Sequence, residues 1–112
     1  MSATAEDIII EQGVTWTYTW QVLNKQMETG YTFAAKFRGQ HSSTGTILSV
    51  TNFVATHDGN HTDLTLTLTA AQTAALSAPY LGVYDIEYTQ ISNQAVTRAF
   101  EGSFYVTPEA TR

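Results

Sequence analysis

The stretch "YLGVYDIEYT" at positions 80–89 decides how the chain is read. Gly82, Tyr84 and Ile86 alternate with Val83, Asp85 and Glu87. That period of two sends successive side chains to opposite faces of a strand. Asp85 and Glu87 therefore share a face, roughly 7 Å apart. The order glycine, tyrosine, aliphatic, each two residues on from the last, raises the question of which kind of sheet this strand enters.

The same period runs through the chain on both sides. "VTWTYTWQV" (14–22) sets Val14, Trp16, Tyr18, Trp20 and Val22 against Thr15, Thr17, Thr19 and Gln21. "DLTLTLT" (63–69) sets three leucines against three threonines. Threonine, tryptophan and tyrosine suit a half-buried pleat. "DIII" (7–10) predicts a short first strand. "YTFAAKF" (31–37) predicts one with Tyr31, Phe33, Ala35 and Phe37 inward, and "TILSVTNFVA" (46–55) a single fourth strand. "VYDIEYTQI" (83–91) and "VTRAFEGSFYV" (96–106) complete the set. Turn residues separate them: Asn24-Lys25, Gly39 to Gly45, Asp58-Gly59-Asn60 and Ser92-Asn93-Gln94. Asp58-Gly59 between two apolar runs marks a hairpin. In "TAAQTAALSAP" (69–79), Thr69 and Gln72 make a capping box and Pro79 closes the segment, which predicts a helical turn over about 70–76.

About seven short strands with one helical turn between the fifth and sixth is the plan of an immunoglobulin-like antiparallel β-sandwich, an all-β fold. In such sandwiches the sixth strand enters with Gly-x-Tyr-x-Cys. Here Gly82 to Ile86 stands in that place, with Ile86 where the cysteine would be. Tyr84 is then expected as the corner tyrosine, its hydroxyl bonded to backbone just upstream.

Composition bounds the rest. At 112 residues, residues 1–112 form a single domain, with short arms expected at 1–6 and 107–112. Charged residues are only 13%, against about 25% in ordinary soluble domains, which suits a surface packed against neighbours. The net charge of −5 and the scattering of Lys25, Lys36, Arg38, Arg98 and Arg112 argue against nucleic acid. With no cysteine there is no disulfide, thiolate metal site or thiol nucleophile. No apolar run reaches transmembrane length and "MSATAEDIII" lacks a leader's pattern, so a soluble protein made in the cytoplasm, without a membrane partner, is expected.

Candidate chemistry is sparse. His57 and His61 flank the Asp58-Gly59-Asn60 turn near Asp63, which offers a weak metal or loop contact. His-x3-His shares a face on a helix but not in a hairpin, so a plain polar turn is the preferred reading. Asp85 and Glu87 have the types needed for acid–base work. An outward face pairing with Arg98 across the hairpin explains them better. The stripe Trp16, Tyr18, Trp20 has the make-up of a sugar platform, but its alternation with threonine makes it a core face. Gly102 suggests close backbone approach or a bulge. No catalytic residue and no cofactor is assigned, and the chain is read as a non-enzyme.

The segments "EQGVTWTYTWQV", "TGYTFAAKFRG", "LTLTAAQTAAL", "GVYDIEYT" and "VTRAFEGSFYVTPEATR" succeed one another as in a set of small bacteriophage virion proteins, which the chain resembles from about Ile8 to Arg112. The resemblance is to immunoglobulin-like attachment modules of baseplate and tail-fibre proteins and to small stand-alone virion proteins. It implies a structural, non-catalytic role in the virion, joining or reinforcing other virion proteins of the tail or baseplate. The motif positions carried over are Gly13, Trp16, Gly30, Tyr31, Arg38, Tyr84, Asp85, Arg98, Gly102 and Arg112. A cement protein that decorates the capsid is the alternative, and a homo-oligomer is compatible with either. From another class, a carbohydrate-binding module for host adhesion would expose aromatic rings such as Tyr80 and Tyr105.

Overall fold

A computed structural model describes residues 4–39, 46–76 and 78–108. Among them the strands are β1 (Thr4–Ala5), β2 (Ile8–Glu11), β3 (Trp16–Leu23), β4 (Tyr31–Gly39), β5 (Thr46–Val50), β6 (Phe53–Asp58), β7 (His61–Leu68), β8 (Tyr80–Gln90) and β9 (Val96–Thr107). A single helical turn, α1 (Ala70–Ala74), lies between β7 and β8. The strands form two sheets. The larger runs β1-β9-β8-β4-β5, with β2 also on β9, and the smaller runs β3-β7-β6. β1 and β2 lie parallel to β9, while every other pairing is antiparallel. The result is a sandwich-like all-β fold.

The alternation read from the sequence builds the layer between the sheets. Trp20, Leu64, Leu66 and Leu68 from the smaller sheet meet Phe37, Ile86, Phe104 and Val106 from the larger, all buried. Trp20 sits among the rings of Tyr84, Phe53 and Phe100, with centroids 6.0 to 6.3 Å away. Ile86, expected to stand in place of an immunoglobulin cysteine, is fully buried. The capping box on α1 forms as expected, with Thr69 and Gln72 each bonding the other's backbone N–H. Thr73 then ties α1 to the turn before β3: its hydroxyl donates to the Val14 carbonyl at 2.8 Å and accepts from Gly13 N–H at 3.0 Å.

Three details differ from the expectation. Residues 46–55 are not one strand. The chain pairs as β5 in the larger sheet, crosses at Thr51-Asn52, and continues as β6 in the smaller. The Asn52 amide donates to the Thr67 carbonyl and fixes the crossing. Thr4–Ala5, expected in an arm, pair with Phe100 and Glu101. Tyr84, expected to bond backbone just upstream, instead donates its hydroxyl at 2.5 Å to the carbonyl of Glu6, far away in sequence. Its inward-facing ring points at the link between β1 and β2, where that carbonyl is turned into the sandwich. The Gly39–Gly45 turn lies for the most part outside the described residues, as do Arg112 and most of the expected C-terminal arm.

Candidate functional site

The larger sheet presents its outer face to solvent, and one irregularity decides what stands on it. In β8, Gly82, Tyr84 and Ile86 turn inward, so Leu81, Val83, Asp85 and Glu87 turn outward. Ile86 pairs with Phe100 but Glu87 pairs with Arg98, so Ala99 is an extra residue in β9. That bulge reverses the alternation and brings Arg98 onto the outer face. On β4, Arg38 stands opposite Val83 and Lys36 opposite Asp85.

Asp85 lies at the centre of this face and is nevertheless only 5% exposed. Arg38 closes over it with Nη1 2.9 Å from Oδ2, and Arg98 Nε approaches the same oxygen at 3.8 Å. Arg98 also reaches Glu101 at 3.6 Å. The expected pairing of Asp85 with Arg98 is thus present but loose. The stronger partner is Arg38, which spacing along the hairpin does not reveal because it comes from β4. Asp85 stands on the outward face as read from the sequence, but two guanidinium groups cover it, whereas Glu87 remains half-buried. The second Asp85 oxygen, Oδ1, is buried and has no hydrogen-bond partner among the described residues. A groove of about 410 Å³ passes over this cluster, with Ala5, Gly102 and Ser103 in its wall.

Beside the charged cluster the same face turns apolar. Ile9 pairs with Tyr105, and Tyr105 with Leu81, in one row across three strands. Val83 is two residues further along β8 on the same side. Their exposures are 66% for Ile9, 39% for Tyr105, 45% for Leu81 and 37% for Val83. Four large apolar side chains held together by strand register make a contiguous patch rather than scattered exposed residues.

The remaining motif positions lie elsewhere. Gly13 (φ 85°) sits in the turn between β2 and β3, and Gly30 (φ 85°) in the turn before β4, both left-handed as a turn glycine permits. Trp16 is a core residue whose indole N–H donates to the Ile9 carbonyl at 2.8 Å. Tyr31 packs edge-on against Tyr88 at 5.6 Å, with the Lys25 ammonium 5.5 Å from its ring. Gly102 lies under the β1–β2 link: a Cβ there would collide with the Glu6 carbonyl and come within 3.2 Å of Asp7 Oδ1. Asp7 Oδ1 in turn accepts from Ser103 N–H.

His57 and His61 do not come together. His57 pairs in register with Thr62, whose side chain is inward and buried, while His61 Nε2 turns to Asp63 at 3.4 Å. The two rings leave the hairpin on opposite faces. Among the described residues no group of three or more His, Asp or Glu side chains is arranged to hold a metal ion. Of the stripe considered as a sugar platform, Trp16 and Trp20 are buried and Tyr18 is half-buried, and Tyr80, expected as an exposed ring, is half-buried against Phe104. Tyr105 stands on the outer face.

Glu6 is the residue that sequence reasoning missed. Its carboxylate accepts from the Tyr18 hydroxyl, its carbonyl from the Tyr84 hydroxyl, and its N–H donates to Glu101. The Tyr18 hydroxyl is pushed up to about 12 by that hydrogen bond, then by burial and the charge of Glu6. Tyr84 is raised to about 12 chiefly by burial, helped by the nearby charge of Glu6 and offset by the Trp20 N–H that it accepts. Nothing in the spacing of an isolated glutamate announces this role. Compared with protein-family models the chain matches none, and no curated protein matches it.

Proposed function

We propose that the chain is an immunoglobulin-like structural module of a bacteriophage virion, built into the tail or baseplate through the outer face of its larger sheet, without catalysis. The observation that carries the docking role is the register-held apolar row of Ile9, Tyr105 and Leu81, extended by Val83, beside the arginine-clasped Asp85. Burying that row against a partner removes apolar surface from water, and Arg38 and Arg98 supply polar contacts at its rim. The immunoglobulin-like reading is supported by the strand pairing: β2 lies parallel on the last strand, and α1 sits between β7 and β8. The virion placement rests on the ordered motifs of the sequence.

Mass spectrometry of purified particles, divided into head and tail fractions, tests the placement. Enrichment with tails at low copy number is the expected result. Enrichment with heads at hundreds of copies would make the chain a capsid cement protein instead. Absence from both fractions overturns the virion role. A glycan array then tests adhesion, for which Tyr105 is the exposed ring.

A further inference from the structure

A different part of the molecule, the free edge of β3, carries an inference that does not depend on the virion reading. In the smaller sheet β3 pairs with β7 alone among the described strands. Every second residue of β3 therefore turns its N–H and C=O away from β7 towards solvent. Folded proteins disarm such edges with charges, prolines, bulges or short strands. The other edges here carry those devices: β5 is five residues with a register shift against β4, the β1–β2 edge is broken at Glu6-Asp7, and β6 ends in Asp58. β3 has none of them. It is eight residues long, in unbroken register with β7, and "WTYTWQVL" contains no charge, proline or glycine.

We infer that β3 pairs antiparallel with β3 of a second copy about a twofold axis, joining two three-stranded sheets into one. Charge and register together select a second copy as the occupant. The chain is acidic overall, at −5, and two copies repel over most approaches. An uncharged edge is where they meet without like charges opposed. The strand is also complementary to itself. With Thr19 on the axis, Thr19 faces Thr19 of the second copy and Thr17 faces its Gln21, all on the solvent side. This continues the hydroxyl ladders already present, Thr17 to Thr67 at 3.1 Å and Thr19 to Thr65 at 2.9 Å. Tyr18 faces Trp20 of the second copy on the core side. Beside the Leu23 end of the edge opens a cleft of about 550 Å³, lined by apolar Val22, Leu23, Ala99 and Phe100 together with polar Gln21 and Arg98.

The absence of cysteine makes a direct test possible. In Thr19→Cys the two thiols stand opposite each other across the axis, with Cβ atoms about 4.5–5.5 Å apart, so that an approach of about 1 Å brings them to the roughly 3.5–4.5 Å that a disulfide spans. Mild oxidation is expected to give a covalent dimer on a non-reducing gel. Thr56→Cys, on the solvent side of β6, is expected to stay monomeric. Sedimentation equilibrium of the unmodified chain should give a concentration-dependent dimer. Thr19→Lys, which sets two ammonium groups against each other, should weaken it at least tenfold, with circular dichroism unchanged. A chain that is monomeric up to millimolar concentration would leave the edge to a strand of a different protein and overturns the inference. So does a dimer that Thr19→Lys leaves intact, or one that Thr56→Cys captures as readily as Thr19→Cys.

Discussion

Glu6 shows how much a single residue can organise here, because three partners converge on it. Both tyrosine hydroxyls that it receives titrate near 12 in the folded chain, against 10.0 for a free tyrosine. A folded value above the unfolded one means that the protonated form is favoured by folding. The associated stability is complete below pH 10 and is lost as pH rises through 12. Absorbance near 295 nm should therefore show Tyr18 and Tyr84 ionising late, together with a drop in urea midpoint over that interval. Tyr84→Phe removes the donor to Glu6 and strands the Trp20 N–H, at a cost of about 1–3 kcal/mol. It should also remove the late-ionising contribution of Tyr84 and keep that of Tyr18. Asp85 behaves differently, because it is a covered charge. Arg38→Met leaves it with the looser Arg98 and should destabilise by about 1–3 kcal/mol. Adding Asp85→Leu removes the stranded charge and should recover most of that loss, since apolar replacement of a buried pair is often neutral. If the double variant is less stable than Arg38→Met alone in urea unfolding, the carboxylate is not being held at a cost.

At the scale of elements, the link between β1 and β2 depends on a glycine in another strand. Gly102 faces the Glu6 carbonyl so closely that any Cβ must push the link away from β9. Gly102→Ala should cost about 1–3 kcal/mol, as overpacking does. It should also raise amide exchange at Glu6 and Ser103, which bond across that junction, before it affects β7. Most strands are legible because alternation survives in them from end to end, as in β3 and β7. The crossing at Thr51-Asn52 offers a single asparagine and neither glycine nor proline, too weak a signal to divide the run. A subtler mark is nevertheless there: the buried or half-buried positions are Leu48 and Val50, then Phe53 and Ala55. The alternation slips by one residue at the crossing, and that phase change marks where the chain leaves one sheet for the other. The outer-face site is legible only in part. Asp85 and Arg98 lie on adjacent strands of one hairpin, while Arg38 is joined to them by a pairing distant in sequence. The bulge at Ala99 that turns Arg98 outward leaves no mark in composition.

For the whole molecule, the outer face of the larger sheet and the free edge of β3 belong to different sheets, so the two contacts are separable. Leu81→Glu with Tyr105→Glu puts charge into the apolar row at positions 45% and 39% exposed. These two positions face each other in register, so the paired glutamates repel and should lower stability by about 1 kcal/mol, with the fold retained by circular dichroism. The pair should abolish incorporation into particles, read by mass spectrometry, while sedimentation still reports the dimer. Thr19→Lys should do the converse to the dimer. Its effect on incorporation separates two kinds of assembly. If the virion takes up a preformed pair, incorporation falls along with the dimer. If each copy docks alone, incorporation is unchanged and edge pairing acts only between free copies. Should the double glutamate variant enter particles at the normal level, the apolar row is not the docking surface, whatever becomes of the edge.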